Sequence, residues 1–411
     1  MSLKIAAENY FPEMEEKAKE NIFVVVREYN EESDKEAVEE LESKCEIGER
    51  GKPTLVTDLM GDPACRVRHF PSHIVLVAEY GEENEIVGVI RGCIKTVTRG
   101  GSSSAYVKLA YLLGLRVSPF YRRLNIGTKL VQKLEEWCKQ NGVEYSYMAT
   151  DCSNEPSINL FTKKFEYIKF RTPTMLVQPV HAHYKSLGSG ISIVRLPKKV
   201  AESVYRKLYA NSEFFPKDID LILSSKLNLG TFMALPKKYK SFLKWEPKTG
   251  SFELPPSFAI LSIWNTKEVF KLQLKGVSPL TYACCVGSRV LDAWMPWLRL
   301  PSFPDVFRQF GLYFLYGLHM EGKNATRLVK SLCALAHNMA RDDGQCGAVV
   351  AEVGPRDPVR EAIPHWRRFS WADLWCIKKL IHGNDKCAPV PSDWIKSPSS
   401  SPIIFVDPRD F

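Results

Sequence analysis

Two adjacent arginines, Arg122 and Arg123, lie shortly before Gly127, where an apolar run gives way to a helical pattern. The apolar run, residues 111–117, predicts a buried strand that ends before Pro119, because proline cannot donate to a ladder. The first turn of a helix leaves backbone N–H groups without partners, and its dipole favours an anion there. Gly127 has no Cβ, so a bound group can approach the backbone closely. The pattern therefore predicts a pyrophosphate-binding loop between a strand and a helix.

The elements around this loop follow from the spacing of apolar residues. After the loop, apolar side chains recur on one face of a helix, at Ile126, Leu130, Val131, Leu134 and Trp137. Gly142 ends this helix, as expected of a residue just past a helix C-terminus. Residues 144–150 predict a second strand, which leads into Asn154 and another amphipathic helix. The chain here runs strand, basic loop, helix, strand and helix.

Two motifs in this region resemble those of the GNAT superfamily of N-acetyltransferases. Val117-x-Pro119-x-x-Arg122-Arg123-x-Asn125-Ile126-Gly127 is similar to that family's acetyl-CoA loop, whose usual form is Arg/Gln-x-x-Gly-x-Gly/Ala. The segment Asn154-x-x-Ser157-x-x-Leu160-Phe161 is similar to the family's next motif, Asn-x-x-Ala-x-x-Leu-Tyr. The resemblance covers residues 22–178, in line with a domain of ~150 residues. With Arg171-Thr172-Pro173 and Val177-x-Pro179-Val180-x-Ala182-His183 after this region, the whole chain resembles the plant Hookless group of probable N-acetyltransferases.

The resemblance implies an α/β (α+β) fold, in which helices flank a mixed, splayed central sheet, and it implies acetyl-CoA as co-substrate without a metal. It assigns cofactor contacts to the strand end, the loop and the next motif, at Leu115, Val117, Arg122, Arg123, Leu124, Asn125, Ile126, Gly127, Thr128, Asn154 and Phe161. Asn125 stands where the family usually has glycine, but asparagine tolerates positive φ. Phe161 stands where many relatives carry the tyrosine that protonates the leaving thiolate, and phenylalanine cannot do so.

Acetyl transfer to an amine also needs a group that takes a proton from the acceptor. Asp151, just after the second strand, and Glu144, at its start, are the candidate bases. Asp151 is also a candidate cap of the turn that follows it. Tyr147, on the second strand, is a candidate acid, although a tyrosine in such a strand is more often part of the core.

The second half of the chain repeats the order of predicted elements found in the first. Residues 315–319 precede a predicted helix at 326–341 and a strand at 348–353, in the order of residues 113–161, at an offset of about 202 (315 − 113). We therefore expect a second, degenerate GNAT-like domain, with an unrelated α+β domain as the alternative. The copy lacks the arginine pair, and residues 322–325 do not match the pyrophosphate loop, so we expect no CoA there.

These observations predict four parts of the chain. They are an N-terminal extension at residues 1–21, the acetyltransferase domain at 22–180, the second domain at 190–396 and a tail at 397–411. A chain of 411 residues exceeds one ordinary core, which agrees with more than one domain. The tail is Ser/Pro-rich and then extended, so it is either docked or loose.

Composition and charge restrict the partners and the location. No apolar run reaches the ~18 residues of a membrane span, and the N-terminus lacks the apolar core of a signal peptide, so we expect a nuclear or cytoplasmic protein. The 11 cysteines are scattered without a Cys-x-x-Cys pair, which favours buried thiols over a metal site. The net charge of +9 is spread along the chain, so we expect attraction of anionic CoA rather than direct nucleic-acid binding.

The leading interpretation is an acetyl-CoA-dependent N-acetyltransferase that acts on an amine of a protein, histone lysines included. A predicted helix carries Glu36, Glu39, Glu40 and Glu42, and in the family this element forms one wall of the acceptor groove, which would suit a basic protein. The Hookless resemblance implies a role in hormone-linked plant development. Two alternatives stay open: a binding or scaffold protein with weak or lost turnover, and an acetyltransferase of small amines. Self-association is also left open.

Overall fold

The structure, a computed structural model, describes residues 24–45, 54–100, 106–242, 253–298, 302, 304–380, 394–395 and 403–411. The predicted extension at 1–21 lies outside these ranges. The strands of the first half are β1 Val24–Glu28, β2 Thr54–Asp58, β3 Ser72–Tyr80, β4 Glu85–Arg99, β5 Tyr106–Val117, β6 Tyr145–Asp151, β7 Ile168–Arg171 and β8 Thr174–Pro179. Its helices are α1 Glu31–Lys44, α2 Ile126–Gln140 and α3 Glu155–Asn159.

The second half contains a similar succession of elements. Its strands are β9 Ile191–Leu196, β10 Glu213–Pro216, β11 Asn228–Pro236, β12 Phe258–Asn265, β13 Lys271–Lys275, β14 Gly311–Glu321, β15 Cys346–Val353 and β16 Trp371–Lys379. Its helices are α4 Lys198–Leu208, α5 Ile219–Ser224, α6 Pro279–Trp294 and α7 Ala325–Asp343. Among the residues described, no helix is both long and apolar enough to cross a bilayer.

One mixed sheet runs through both halves in the order β1-β3-β4-β5-β6-β16-β8-β15-β14-β12-β11-β9. In the first half, β1, β3, β4 and β5 pair antiparallel in turn, and β5 then pairs parallel with β6. In the second half, β9, β11, β12 and β14 pair antiparallel in turn, and β14 then pairs parallel with β15. The second half therefore repeats the strand pattern of the first, as the sequence repeat predicts.

The two halves exchange their last strands. β16, from the end of the second half, pairs antiparallel with β6 of the first, and β8, from the first half, pairs antiparallel with β15 of the second. Each half thus completes its sheet with a strand from the other. The division at residues 180–190 stays a prediction about domain organisation, but these pairings cross it in both directions.

The helices and the core follow the predicted pattern. Ile126, Leu130, Val131 and Leu134 of α2 are buried against one face of the sheet, and the positive φ of Gly142, 68°, ends the helix. α7 covers the second half in the same way, through a separate core. A third core, on the opposite face, takes side chains from both halves.

The described part of the tail, residues 403–411, is docked in this shared core. Phe405 and Asp407 are each 1% exposed. The Arg409 guanidinium donates to Asp407 and Asp218, and the Phe411 ring stacks on Phe314 with centroids 4.8 Å apart. Of the two expectations for the tail, the docked one is therefore confirmed for these residues.

Trp375 of β16 tests how tightly the halves are joined. Its ring is 3% exposed, lies 5.4 Å from the Tyr147 ring and 5.1 Å from the Phe214 ring, and its Nε1–H donates to Glu352 at 3.1 Å. We expect Trp375→Ala to lower the free energy of unfolding by about 3–5 kcal/mol, since it leaves a cavity in the shared core. Denaturant titration followed by circular dichroism measures this as one shifted transition.

The control is Trp371→Ala, on the same strand but 38% exposed, for which we expect a loss of less than about 1 kcal/mol. Two separate transitions, of which Trp375→Ala moves only one, would show that the halves unfold independently.

Candidate functional site

The loop between β5 and α2, residues 118–125, has the backbone of an anion site, and we call it the α2 loop. Arg123 and Asn125 adopt left-handed φ values of 68° and 61°. Left-handed residues beside right-handed ones curve the chain so that successive N–H groups converge on one concave side. Asparagine is among the residues that tolerate this conformation, so the turn forms without the glycine usual in the family.

The first turn of α2 offers its N–H groups to a ligand. Within the described residues, no side chain caps this turn. The Asn125 Oδ1 instead accepts a hydrogen bond from the Lys164 ammonium at 3.0 Å. Arg122 and Arg123 are exposed at the same place, so three cations surround the helix N-terminus. Uncapped N–H groups, the helix dipole and these cations together fit a pyrophosphate.

Apolar side chains from the strand end lie against the start of α2. A Cβ placed on Gly127 would lie 3.7 Å from Val117 and from Leu160, and 3.9 Å from Leu115. Leu124 is half-buried, while Ile126 and Thr128 are buried in the helix. The structure thus brings together the predicted contacts from Leu115 to Thr128 around one helix N-terminus.

β5 and β6 separate beside this loop. Their last paired residues are Leu112 and Met148, after which β5 continues to Val117 and β6 to Asp151 without pairing to each other. We call this opening the gap. The backbone groups that face it are free of the strand ladder, so an extended chain of amides, such as a pantetheine arm, could pair with them. The α2 loop lies at its open end.

The candidate bases occupy opposite ends of β6. The carboxylate of Asp151 is exposed and accepts from the Ser153 N–H at 2.7 Å and from the Ser153 hydroxyl at 2.5 Å, which makes it a cap of the turn. Glu144 accepts from the Lys108 N–H at 3.0 Å at the other end of the strand. At ~3.3 Å per residue, Glu144 lies roughly 20 Å from the end of the strand next to the gap. The structure does not bring Glu144 to the α2 loop.

The two predicted residues of the second motif have different environments. Asn154 is exposed next to the end of β6, where its amide donates to the Thr150 hydroxyl at 2.9 Å and its oxygen accepts from the Ser157 N–H at 3.4 Å. Phe161 is 2% exposed and packs edge-on against Tyr167, with ring centroids 5.1 Å apart. Phe161 is therefore a core side chain in this structure.

Tyr147 belongs to a polar cluster that local sequence patterns did not reveal. Its hydroxyl donates to the Asp410 carboxylate at 2.6 Å, and the Lys95 ammonium donates to the same carboxylate oxygen at 2.5 Å. We call these three residues the Lys–Tyr–Asp cluster. Lys95, within an apolar strand, was the available signal, because an ammonium is rarely buried without a partner. Its partner in the tail lies 315 residues away along the chain.

A second carboxyl group near this cluster comes from the other half. The half-buried Glu352 follows an apolar run on β15 and accepts from the Trp375 ring N–H at 3.1 Å. Burial raises the pKa of Glu352 well above its ordinary value, and the nearby carboxylates of Asp373 and Asp410 raise it further. Burial likewise raises the pKa of Asp410, although Lys95 opposes the shift. Acid–base groups thus gather on the sheet face opposite α2.

The loop before α7 has a backbone conformation like that of the α2 loop, but a ligand cannot approach it. Asn324, before α7, has a left-handed φ of 64°, as Asn125 does before α2. A Cβ on Gly322 would lie 2.1 Å from the Pro256 carbonyl oxygen, and the Ser257 hydroxyl donates to the Lys323 carbonyl at 2.7 Å. Because residues 256–257 fill the approach, this loop is a degenerate copy. Within the described residues, no group of three or more His, Cys, Asp or Glu side chains is placed to hold a metal ion.

Comparison with known proteins agrees with this geometry. The family described as "Acetyltransferase (GNAT) family" matches residues 35–167. "Probable N-acetyltransferase HLS1" of Arabidopsis thaliana is 50% identical over 405 residues, which cover 94% of this chain and 100% of that protein. "Acetyl transferase GW6a" of Oryza sativa subsp. japonica is 42% identical over 432 residues, which cover 95% of this chain and 98% of that protein.

Solved structures show the same fold at low sequence identity. The N-myristoyltransferase of Saccharomyces cerevisiae with bound myristoyl-CoA aligns with a TM-score of 0.51 and 10% identity, over 87% of this chain and 79% of that chain. At this identity the likeness concerns the fold alone. The full-length relatives and the family match identify the family and the enzyme class. The chain is an acyltransferase that belongs to the GNAT family, together with the Hookless-like N-acetyltransferases of plants.

Proposed function

We propose that the protein transfers the acetyl group of acetyl-CoA to an amine of a basic protein, with a lysine side chain, such as that of a histone, as the acceptor. One observation carries the proposal: the uncapped N-terminus of α2, with Arg122, Arg123 and Lys164 around it, lies at the open end of the gap between β5 and β6. The loop residues would hold the pyrophosphate. Backbone groups of β5 in the gap would align the thioester, and one N–H there would polarise its carbonyl.

The acceptor side of the gap supports a cationic partner. α1 packs on the sheet face opposite α2, through the same core as Tyr147. Its outer face exposes carboxylates at Glu31, Glu32, Glu36 and Glu40. Of the other two predicted carboxylates, Glu39 is half-buried and Glu42 is paired with Arg91 at 2.7 Å. Such a surface attracts a lysine-rich segment and disfavours an acidic one. The acidic helix is the physical basis for choosing a basic protein over a small amine.

The setting of the reaction is part of the proposal. The described cysteines are all free thiols, which suits a reducing compartment such as the nucleus or cytoplasm. A role in hormone-linked development rests on the resemblance to the plant relatives and follows from no feature of the site.

The arginine pair provides the first test. We expect the Arg122→Ala/Arg123→Ala variant to bind acetyl-CoA about tenfold more weakly than wild type or worse, because two charge-assisted contacts to the pyrophosphate are lost. Isothermal titration calorimetry measures the change. The matched control is Lys323→Ala/Lys330→Ala, which removes two exposed charges of the second half, one in the loop before α7 and one on α7, and should leave the affinity unchanged.

A well-folded wild-type protein that binds no acetyl-CoA would contradict the proposal and favour a scaffold that has kept the fold. If acetyl-CoA binds, lysine-rich histone-tail peptides compared with polyamines and arylamines identify the acceptor class. Turnover of the small amines alone would overturn the choice of a protein acceptor.

Substitutions of Gly127 distinguish the effect of negative charge on acetyl-CoA binding from the effect of side-chain size. A Cβ there meets side chains only at ordinary contact distances of 3.7 Å or more, so Gly127→Ala should fold normally and bind acetyl-CoA within a few-fold of wild type. We expect Gly127→Asp to weaken binding on the order of 100-fold, because its carboxylate repels the pyrophosphate. Gly127→Asn has the same size without the charge and should lie between them. Equal affinity of the Asp and Asn variants would place the pyrophosphate elsewhere.

A further inference from the structure

The docked tail supplies a polar side chain to the middle of the sheet. Asp410 Oδ2 accepts from both Tyr147 and Lys95, and the Arg66 guanidinium donates to the Asp410 carbonyl at 3.2 Å. The other carboxylate oxygen, Oδ1, is buried and has no hydrogen-bond partner among the described residues. An ionised carboxylate is costly to bury with an oxygen that has no hydrogen-bond partner, and this cost favours its uptake of a proton.

The cluster lies directly beside the gap. Tyr147 pairs with Tyr111 across β5 and β6, one pair before the strands separate, and the two rings stack with centroids 4.6 Å apart. Both side chains point to the face that carries α1, away from α2. A co-substrate held by the α2 loop would enter the gap from its open end. Tyr111 and Tyr147 are 7% and 1% exposed within the shared core, so the acceptor amine would meet the Tyr147 hydroxyl through the gap.

The charges around Asp410 favour uptake of a proton. The ion pairs in this region join Asp218, Asp407 and Asp410 to Lys95 and Arg409. Asp407 is 1% exposed and lies 4.0 Å from the same Lys95 ammonium, so a second buried carboxylate stands close to Asp410. A proton taken up at Asp410 would remove its repulsion with Asp407, while Lys95 holds the ionised carboxylate in place beforehand.

We propose that Asp410 is the proton acceptor of the acetyltransferase site and that it acts through the Tyr147 hydroxyl. The acceptor ammonium gives a proton to the Tyr147 oxygen as Tyr147 gives its own proton to Asp410. The neutral amine then forms the C–N bond, the C–S bond breaks with its electron pair on sulfur, and the second amine proton passes to the thiolate. Asp410 later releases its proton to solvent, so an ammonium and a thioester yield an amide, a thiol and one proton.

This inference rests on the proposed function, and the test uses the full chain. Tyr147→Phe removes the hydroxyl and keeps the ring stack, while Asp410→Asn keeps the shape of the carboxyl group and removes its charge. The chain contains a matched control in Asp343, which accepts from the Lys267 ammonium and from the Tyr313 hydroxyl, each at 2.5 Å, far from the gap. Tyr313→Phe and Asp343→Asn therefore break a second Lys–Tyr–Asp arrangement of the same chemistry.

We expect Tyr147→Phe and Asp410→Asn to lower kcat about 100-fold and to leave the KM for acetyl-CoA and its affinity by calorimetry within about twofold. The control pair should lose stability by a similar amount and keep kcat. A second readout needs no turnover: a bisubstrate probe, CoA joined through its sulfur to a lysine side chain by an amide-bearing linker. Tyr147→Phe should bind this probe about fivefold more weakly than wild type, since one hydrogen bond is lost, and Tyr313→Phe should not.

The outcomes separate the two proposals. Normal kcat and normal probe affinity in Tyr147→Phe, with acetyl-CoA bound as in wild type, would overturn the role of Tyr147 and Asp410 while leaving the proposed function intact. Loss of kcat in the control pair as well would show that the cluster matters only for folding. Failure of wild type to bind either acetyl-CoA or the probe would overturn the proposed function and, with it, this inference.

Discussion

The separation of β5 from β6 is the constraint on which the rest of the site depends. A strand pair that opens leaves backbone donors and acceptors unmatched, and such groups need another partner. A bulge makes the opening: the β4–β5 register shifts between Val89 and Arg91, and Gly114 adopts a left-handed φ of 62°. Arg91 is fixed there by the Pro63 carbonyl at 2.6 Å and the Glu42 carboxylate at 2.7 Å. A Cβ on Gly114 would lie 2.8 Å from this guanidinium, so glycine is required where β5 bends.

The opened sheet stays intact because other strands hold both sides of the gap. β4 pairs with β5 along its outer edge, and β16, a strand of the second half, pairs with β6 along seven residues of register. The first half therefore depends on the second for the edge of its own site. The tail makes the same connection, because residues 403–411 pass through the shared core and carry Asp410 to Tyr147.

The sequence predicted the local part of this arrangement. The α2 loop, its helix and β6 have short-range signals, namely an arginine pair, helical spacing and glycines, and each was found where expected. The repeat predicted the strand pattern of the second half as well. The strand exchange and the Lys95–Asp410 pair could not be predicted. Contacts between residues hundreds of positions apart do not change the local spacing of apolar residues, from which the elements were predicted. The same holds for Glu144, whose distance from the loop becomes visible only once the direction of β6 is known.

The equivalent positions of the second half differ from those of the first at the two tyrosines. Gly114 and Gly317 share a left-handed φ, of 62° and 59°, and mark the same bulge in β5 and β14. Counted from these glycines, Tyr111 corresponds to Phe314, and since Phe314 pairs with Val350, Tyr147 corresponds to Val350.

The half whose loop is closed thus has no hydroxyl at either position, whereas the half with the open loop has both. Packing alone does not explain the difference, because a buried ion pair adds little stability over apolar side chains of similar volume. The Lys–Tyr–Asp cluster and the α2 loop thus occur together in the half whose loop is accessible, and this supports the proposal that they serve one site.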